Sequence, residues 1–344
     1  MRSTIAGSRA DGACHVLAAG CIAPGCADVG QAHAQVWRGA RSTVPMRRVA
    51  DDALAIASAL PARIAKRMDR FAHLAVAATR STLAAHAAAS LPRSDCGIVV
   101  GNMTGGWGCT EPELRKLHST GLADISPYLA SSWFPAAAQG QASIQLGLEG
   151  YAKTIATDRC AGGQAIGLGF ARIAHGKAEA IVAGGAEAPI TPFVEAAYEC
   201  KFGDRAQLRE AAAFLLLSPE APADQARPRI TRHRTRALFH DEPLQAQVRE
   251  LLAAASEPEM AELALFVNTL PHDRIEAEIE QAARASGLAV ATLMFPNRVL
   301  GDGLAASAAL AAAVACESLL QAQCSHALVL SVGHQCLDIL TLTL

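Results

Sequence analysis

Apolar residues recur along this chain on two periods, and the changes from one to the other mark its elements. Met68, Phe71, Leu74, Ala75 and Ala78 fall three and four apart, which predicts one amphipathic helix from Ala62 to His86. Short apolar runs at Cys96 to Val100, Ala180 to Ala183 and His326 to Ser331 predict buried strands, each followed by a glycine turn at Gly101, Gly184-Gly185 and Gly333. Thr154, Ile155 and Thr157 read as a β-branched strand before a tight turn. Two stretches of small residues, about Ala161 to Ala174 and Asp302 to Gln323, predict helices that a neighbour can approach closely. Cys14 to Cys26 reads as a strand and a Gly/Pro turn, followed by an amphipathic helix near Gln31 to Gly39.

The order small-residue helix, strand, glycine turn occurs twice. That repetition predicts an α/β protein of two similar halves, residues 1–220 and 221–344. With 344 residues, 51% of them hydrophobic, the chain can bury a large core. A net charge of −2 argues against a nucleic-acid partner. Leu304 to Val314 is too short and too rich in alanine to cross a membrane. The first fifteen residues carry Arg2, Arg9 and Asp11 without an apolar core, so no secretory signal is expected and the cytoplasm is the default location. Ten scattered cysteines without CxxC or zinc spacing read as reduced, mostly buried thiols, with no metal site expected. The run GNMTGG at 101–106 lacks the Lys-Ser/Thr of a phosphate loop and the spacing of a dinucleotide fingerprint, and no cofactor is expected. Arg227, Arg229, Arg232, His233, Arg234, Arg236 and His240 form a basic run that predicts a solvated face, with docking of an acidic carrier protein as the alternative.

The chemistry should sit at the turn before the first small-residue helix. A residue there projects from a helix head, where converging N–H groups and the helix dipole favour an anion. That turn holds Arg159 and Cys160.

From Ile155 through Gly167 to Glu187 the segment resembles the active-site stretch of the β-ketoacyl synthases of the thiolase superfamily. The resemblance implies a thiolase-like fold with the small-residue helices between sheets. In the ungapped register, which is preferred, the family's acylated Cys falls on Arg159; a one-residue deletion inside the helix would place Cys160 there instead. Matching FVNTLPHDRIEAE to the family's H-G-T-x-T motif puts Leu270 on its His, with His272 outside the motif. Matching FPNRVLGDGLAASAAL to K-S-x-x-G-H puts Asn297 on the Lys and Asp302 on the His. The four catalytic positions are then Arg159, Leu270, Asn297 and Asp302, none of them able to act as in the family. Arg159 and Asp302 are expected to pair, since the fold brings the two helix heads together.

ISPYLASSWFPAAAQGQASIQLGLEG is similar to the chain-length factors, the ketosynthase-like subunits of type II polyketide synthases. The resemblance implies a non-condensing subunit that pairs with an active β-ketoacyl synthase as a heterodimer, works with acyl carrier protein, and shapes the acyl tunnel in polyketide, polyene or fatty-acid-like synthesis. It assigns chain-length control to the bulky residues Trp107, Leu114, His118, Trp133 and Phe134. It also places Lys153 to Asp158 at the subunit interface. The alternatives are a self-sufficient condensing or acyl-transfer enzyme using Cys160 with His272 or His334 as base, and a scaffold without a synthase partner.

Overall fold

The computed structural model describes residues 14–39, 46–86, 92–256, 260 and 262–344; the expectation drawn from Arg2, Arg9 and Asp11 lies outside them. Ten strands occur among the described residues: β1 (Cys14–Ile22), β2 (Cys96–Asn102), β3 (Ala152–Ala156), β4 (Ala180–Glu187), β5 (Ala211–Ser218), β6 (Arg229–Ala237), β7 (Leu263–Asn268), β8 (Val290–Met294), β9 (His326–Val332) and β10 (Cys336–Thr343). They form one sheet in the order β3-β2-β4-β5-β1-β6-β10-β9-β7-β8. β2 pairs with β3 and β4 in parallel, and β5 pairs with β4 and β1 antiparallel. The other side repeats this: β7 is parallel to β8 and β9, and β10 is antiparallel to β9 and β6. The two runs join only where Cys14 and His15 of β1 meet Ile230 and Arg229 of β6.

Side-chain alternation explains the layering. Val99, Ala213, Leu215, Phe266, Val329 and Leu340 point into one central core shared with the helices Ala161–Ala174 and Ala305–Leu320. Their sequence neighbours Ile98, Val100, Phe214 and Leu216 face outward onto helices Arg70–Ala85 and Ala137–Leu146. Leu265, Leu328, Leu330 and Ile339 face helices Leu244–Ala255 and Asp273–Ala285 on the far side. The result is a thiolase-like α/β architecture in which two central helices lie between the faces of two half-sheets. Small residues make this possible: a Cβ on Gly162 would overlap the backbone carbonyl of Ala305 in the opposing helix.

Two expectations are corrected. The helix drawn from Ala62 to His86 is broken into Ala62–Ala65 and Arg70–Ala85. Asp69 is the reason, because its buried carboxylate caps the second helix at Phe71 N (3.0 Å) and also takes Cys109 N (2.7 Å). The basic run is a half-buried strand in the middle of the sheet, β6, where backbone pairing to β10 overrides the polar pattern. Arg232 donates to the carbonyls of Ala254 and Ser256, and Arg236 pairs with Glu250 at 2.7 Å.

Candidate functional site

The head of the Ala161–Ala174 helix is fixed by the turn that leaves β3. One Asp158 oxygen accepts from Cys160 N (2.9 Å), the other from His334 N (2.7 Å) and Gln335 N (2.9 Å), which ties the turn to the loop between β9 and β10. Arg159 then points into the protein, 5% exposed, and its Nη1 donates to Asp302 Oδ1, as the two helix heads were expected to allow. Asp302 also accepts from Tyr198 Oη (2.8 Å) and Leu304 N (2.9 Å). Burial works against the guanidinium charge, but the Asp302 carboxylate outweighs it, and the Arg159 pKa is held above its ordinary value. Arg159 is therefore a buried, fixed cation at the helix head.

The other two positions matched to the motifs, Leu270 and Asn297, lie close by. Leu270 lines a cavity of about 200 Å³ together with Asp158, Arg159, Met103, Phe202 and His334. Asn297 is buried and donates to Asn268 Oδ1 (3.0 Å) and to the Thr269 carbonyl (2.9 Å). Asn268 in turn reaches the Arg159 carbonyl (3.4 Å) and Ser331 Oγ (3.3 Å). The four positions thus converge in space, held by amide and carboxylate groups rather than by imidazoles.

Cys160 is the N-cap of the helix and fully buried, its thiol facing the carbonyls of Ser331 (3.5 Å) and Cys336 (3.3 Å). Burial first, then Cys336 and the carboxylates of Asp338 and Asp158, push the thiol pKa well up, so it stays protonated at neutral pH. Neither histidine considered as its base reaches it through a hydrogen bond. His272 caps the Asp273–Ala285 helix and lines a separate polar cavity of about 470 Å³ with Arg209 and Arg298. His334 is exposed, its ring 5.0 Å from that of His240.

The segment assigned to chain-length control lies elsewhere. Trp107 opens the Trp107–Ser119 helix, stacked on Phe193 at 4.3 Å. On one side it borders a cavity of about 460 Å³ with Met68, Glu111 and Ile190. On the other it borders one of about 380 Å³ with Leu114, Leu129 and Trp133. The structure does not bring all five residues to these walls. His118 is exposed near the end of its helix, and Phe134, 53% exposed, lies edge-on to Trp133 at 6.0 Å. Trp133 itself is 49% exposed, so the pair is largely a surface feature.

Two residues went unnoticed in the sequence. Tyr198 completes the clamp on Asp302. Glu187, fully buried at the end of β4, accepts from Met103 N and Thr104 Oγ1; burial raises its pKa to about 7 against those hydrogen bonds. The GGAEAP run offered a signal for Glu187, a carboxylate inside an otherwise apolar strand.

Residues 38–201 match the family model described as the β-ketoacyl synthase N-terminal domain. The chain is 34% identical over 136 residues to 3-oxoacyl-(acyl-carrier-protein) synthase 2 of Synechocystis sp., covering 39% of this chain and 33% of that protein. It is 28% identical over 267 residues to a protein of Streptomyces coelicolor described as a polyketide β-ketoacyl synthase 2, covering 68% of this chain and 61% of the relative. The chain therefore spans between a third and about three fifths of the length of these relatives. Among solved structures it is similar to a chain of the type II PKS acyl-carrier protein in complex with its ketosynthase bound to the hexaketide. The TM-score there is 0.82 at 22% identity, over 96% of this chain and 99% of that one. It is also similar to the ishigamide ketosynthase/chain length factor, with a TM-score of 0.76 at 21% identity over 96% and 99% of the two chains. Residues 38–201 thus match a β-ketoacyl synthase N-terminal domain, and the chain has the thiolase-like fold of solved ketosynthase structures.

Proposed function

We propose that this protein is a non-condensing, chain-length-factor-like subunit that pairs with an active β-ketoacyl synthase and shapes its acyl tunnel. The observation that carries the reading is Arg159 at the helix head, clamped by Asp302. Decarboxylative condensation needs a thiolate to carry the acyl chain and imidazoles to hold the thioester oxygen. A guanidinium fixed by a buried carboxylate offers neither a nucleophile nor a base.

Pairing is supported by the surface. Leu122 (76% exposed), Tyr128, Trp133, Phe134 and Ile144 (73% exposed) leave an unusual amount of apolar surface in one segment. Among the described residues β3 pairs only with β2, so its other edge offers N–H and C=O groups for pairing, and Lys153 to Asp158 would cross the interface there. Two structural neighbours are an acyl-carrier protein in complex with its ketosynthase and a ketosynthase/chain length factor. Acyl carrier protein would be the second partner.

The test is co-expression with a synthase that keeps its Cys and both His residues. The two chains should co-elute, and Ile155→Pro, which removes a backbone donor from β3, should abolish association. A chain that elutes alone beside a competent synthase would overturn the reading. An Ile155→Pro variant that still elutes in the full complex would overturn the β3 interface.

A further inference from the structure

Three electron-pair donors, two from the turn after β3 and one from the start of β10, meet beside the Arg159 cavity, and neither the proposed function nor the fold requires their chemistry. One carboxylate oxygen of Asp158 and the sulfurs of Cys160 and Cys336 all lie within 4.8 Å of one another. The separation of Cys336 Sγ from Asp158 Oδ1 is 3.3 Å. We propose that Asp158, Cys160 and Cys336 form a binding site for a thiophilic divalent cation such as Zn²⁺, with a water as the fourth ligand.

Metal–sulfur bonds of about 2.3 Å and metal–oxygen bonds of about 2.1 Å put the ligand atoms of a tetrahedral site about 3.5–4 Å apart, within reach of the present arrangement. Each ligand stands on a fixed piece of backbone: the turn after β3, the N-cap of the Ala161–Ala174 helix, and the first residue of β10. The outer groups already point at the ligands. The second oxygen of Asp158 is held by His334 N and Gln335 N, which orients the carboxylate. Gln164 Nε2 donates to Cys336 Sγ at 3.4 Å, and Gln164 Oε1 accepts from Thr157 Oγ1 at 2.8 Å, which fixes the amide so that its N–H faces the sulfur. A donor aimed at a sulfur stabilises a thiolate there, and such outer contacts tune metal affinity.

Binding replaces all but one of the cation's waters with two sulfurs and one carboxylate oxygen, and the displaced waters and the two thiol protons leave to solvent. The cation enters from the 200 Å³ cavity, where Asp158, Gly333 and His334 form part of the wall. Once bound, it ties the first central helix to the loop joining β9 and β10.

Co²⁺ is a suitable probe, added to the full chain after reduction and removal of metal. The wild type should take up one equivalent with a thiolate-to-cobalt charge-transfer band, displaced by Zn²⁺. Cys336→Ser should lose most of that band, while Cys200→Ser, an exposed cysteine outside the cluster, should leave it unchanged. Gln164→Ala should keep the band but weaken Co²⁺ binding about 10–100-fold, as loss of an outer-shell partner does. Zn²⁺ should raise the melting temperature of the wild type and not that of Cys336→Ser. The absence of a charge-transfer band in the reduced wild type would overturn the site. So would unchanged Co²⁺ affinity in both Cys336→Ser and Gln164→Ala, since that would place the ion on other cysteines.

Discussion

The head of the first central helix and the segment around Trp107 have fared differently. At the helix head the space beside Arg159 is about 200 Å³, and its polar positions are closed by mutual contacts among Arg159, Asp302 and Tyr198. Around Trp107 there are cavities of about 460 and 380 Å³ on either side of one indole. The place that would do chemistry is filled with structure-making contacts, while the place that would accommodate a chain keeps its room. On the proposed reading, that contrast fits a subunit retained for shape.

The ion pair provides the strongest test of this contrast. Asp302→Ala leaves a buried guanidinium and the Tyr198 hydroxyl without their acceptor, and should cost about 3–5 kcal/mol of stability by urea melts. Replacing both partners with apolar residues, Arg159→Met with Asp302→Leu, should cost much less, because no buried charge is stranded. If the single and double variants melt alike, Arg159 is not held as described.

Glu187 joins the two regions. It holds Met103, which lines the helix-head cavity, and Thr104, which lines the 380 Å³ cavity together with Trp107. Its pKa is raised from 4.5 to about 7 by burial, so between those values the folded state binds more protons than the unfolded one. That contribution is fully present below the unfolded value and is lost as pH rises through about 7. At 1.36 kcal/mol for each pH decade, the loss is about 3 kcal/mol. Melting curves taken from weakly acidic to weakly basic pH should show the decline, and Glu187→Gln should flatten it. An unchanged slope in the variant would mean that another group carries the effect.

Trp107→Ala should be milder for the fold, because the indole is only half-buried and its stack on Phe193 is worth about 0.5–1.5 kcal/mol beyond area burial. The substitution should merge the two flanking cavities and lengthen the products of the complex, seen by mass spectrometry of released chains. An unaltered product profile from a stable complex would reject the gate at Trp107.

Much of the scaffold was legible because its signals are local. The Ala161–Ala174 helix, the strands flanking it and the repeat of the pattern at Ala305–Leu320 follow from small residues and apolar runs. The break at Asp69 was not legible, because an apolar period of three and four residues runs straight across it while the capping contact reaches Cys109, forty residues away. β6 hid for the opposite reason: its composition is that of a surface, and only pairing with β10, a hundred residues later, makes it a strand. The site divides the same way. Arg159 could be paired with Asp302 by reasoning from two helix heads, but Tyr198 and Cys336 arrive from other parts of the chain and leave no local mark.

The measurement that tests the central claim most directly is intact mass spectrometry of the purified complex after incubation with acyl carrier protein thioester. The account predicts an acyl adduct on the partner synthase and none on this chain, because Cys160 is a protonated, buried thiol with no imidazole bonded to it among the described residues. An acyl adduct on Cys160 would contradict the account and make this chain a condensing or acyl-transfer enzyme in its own right.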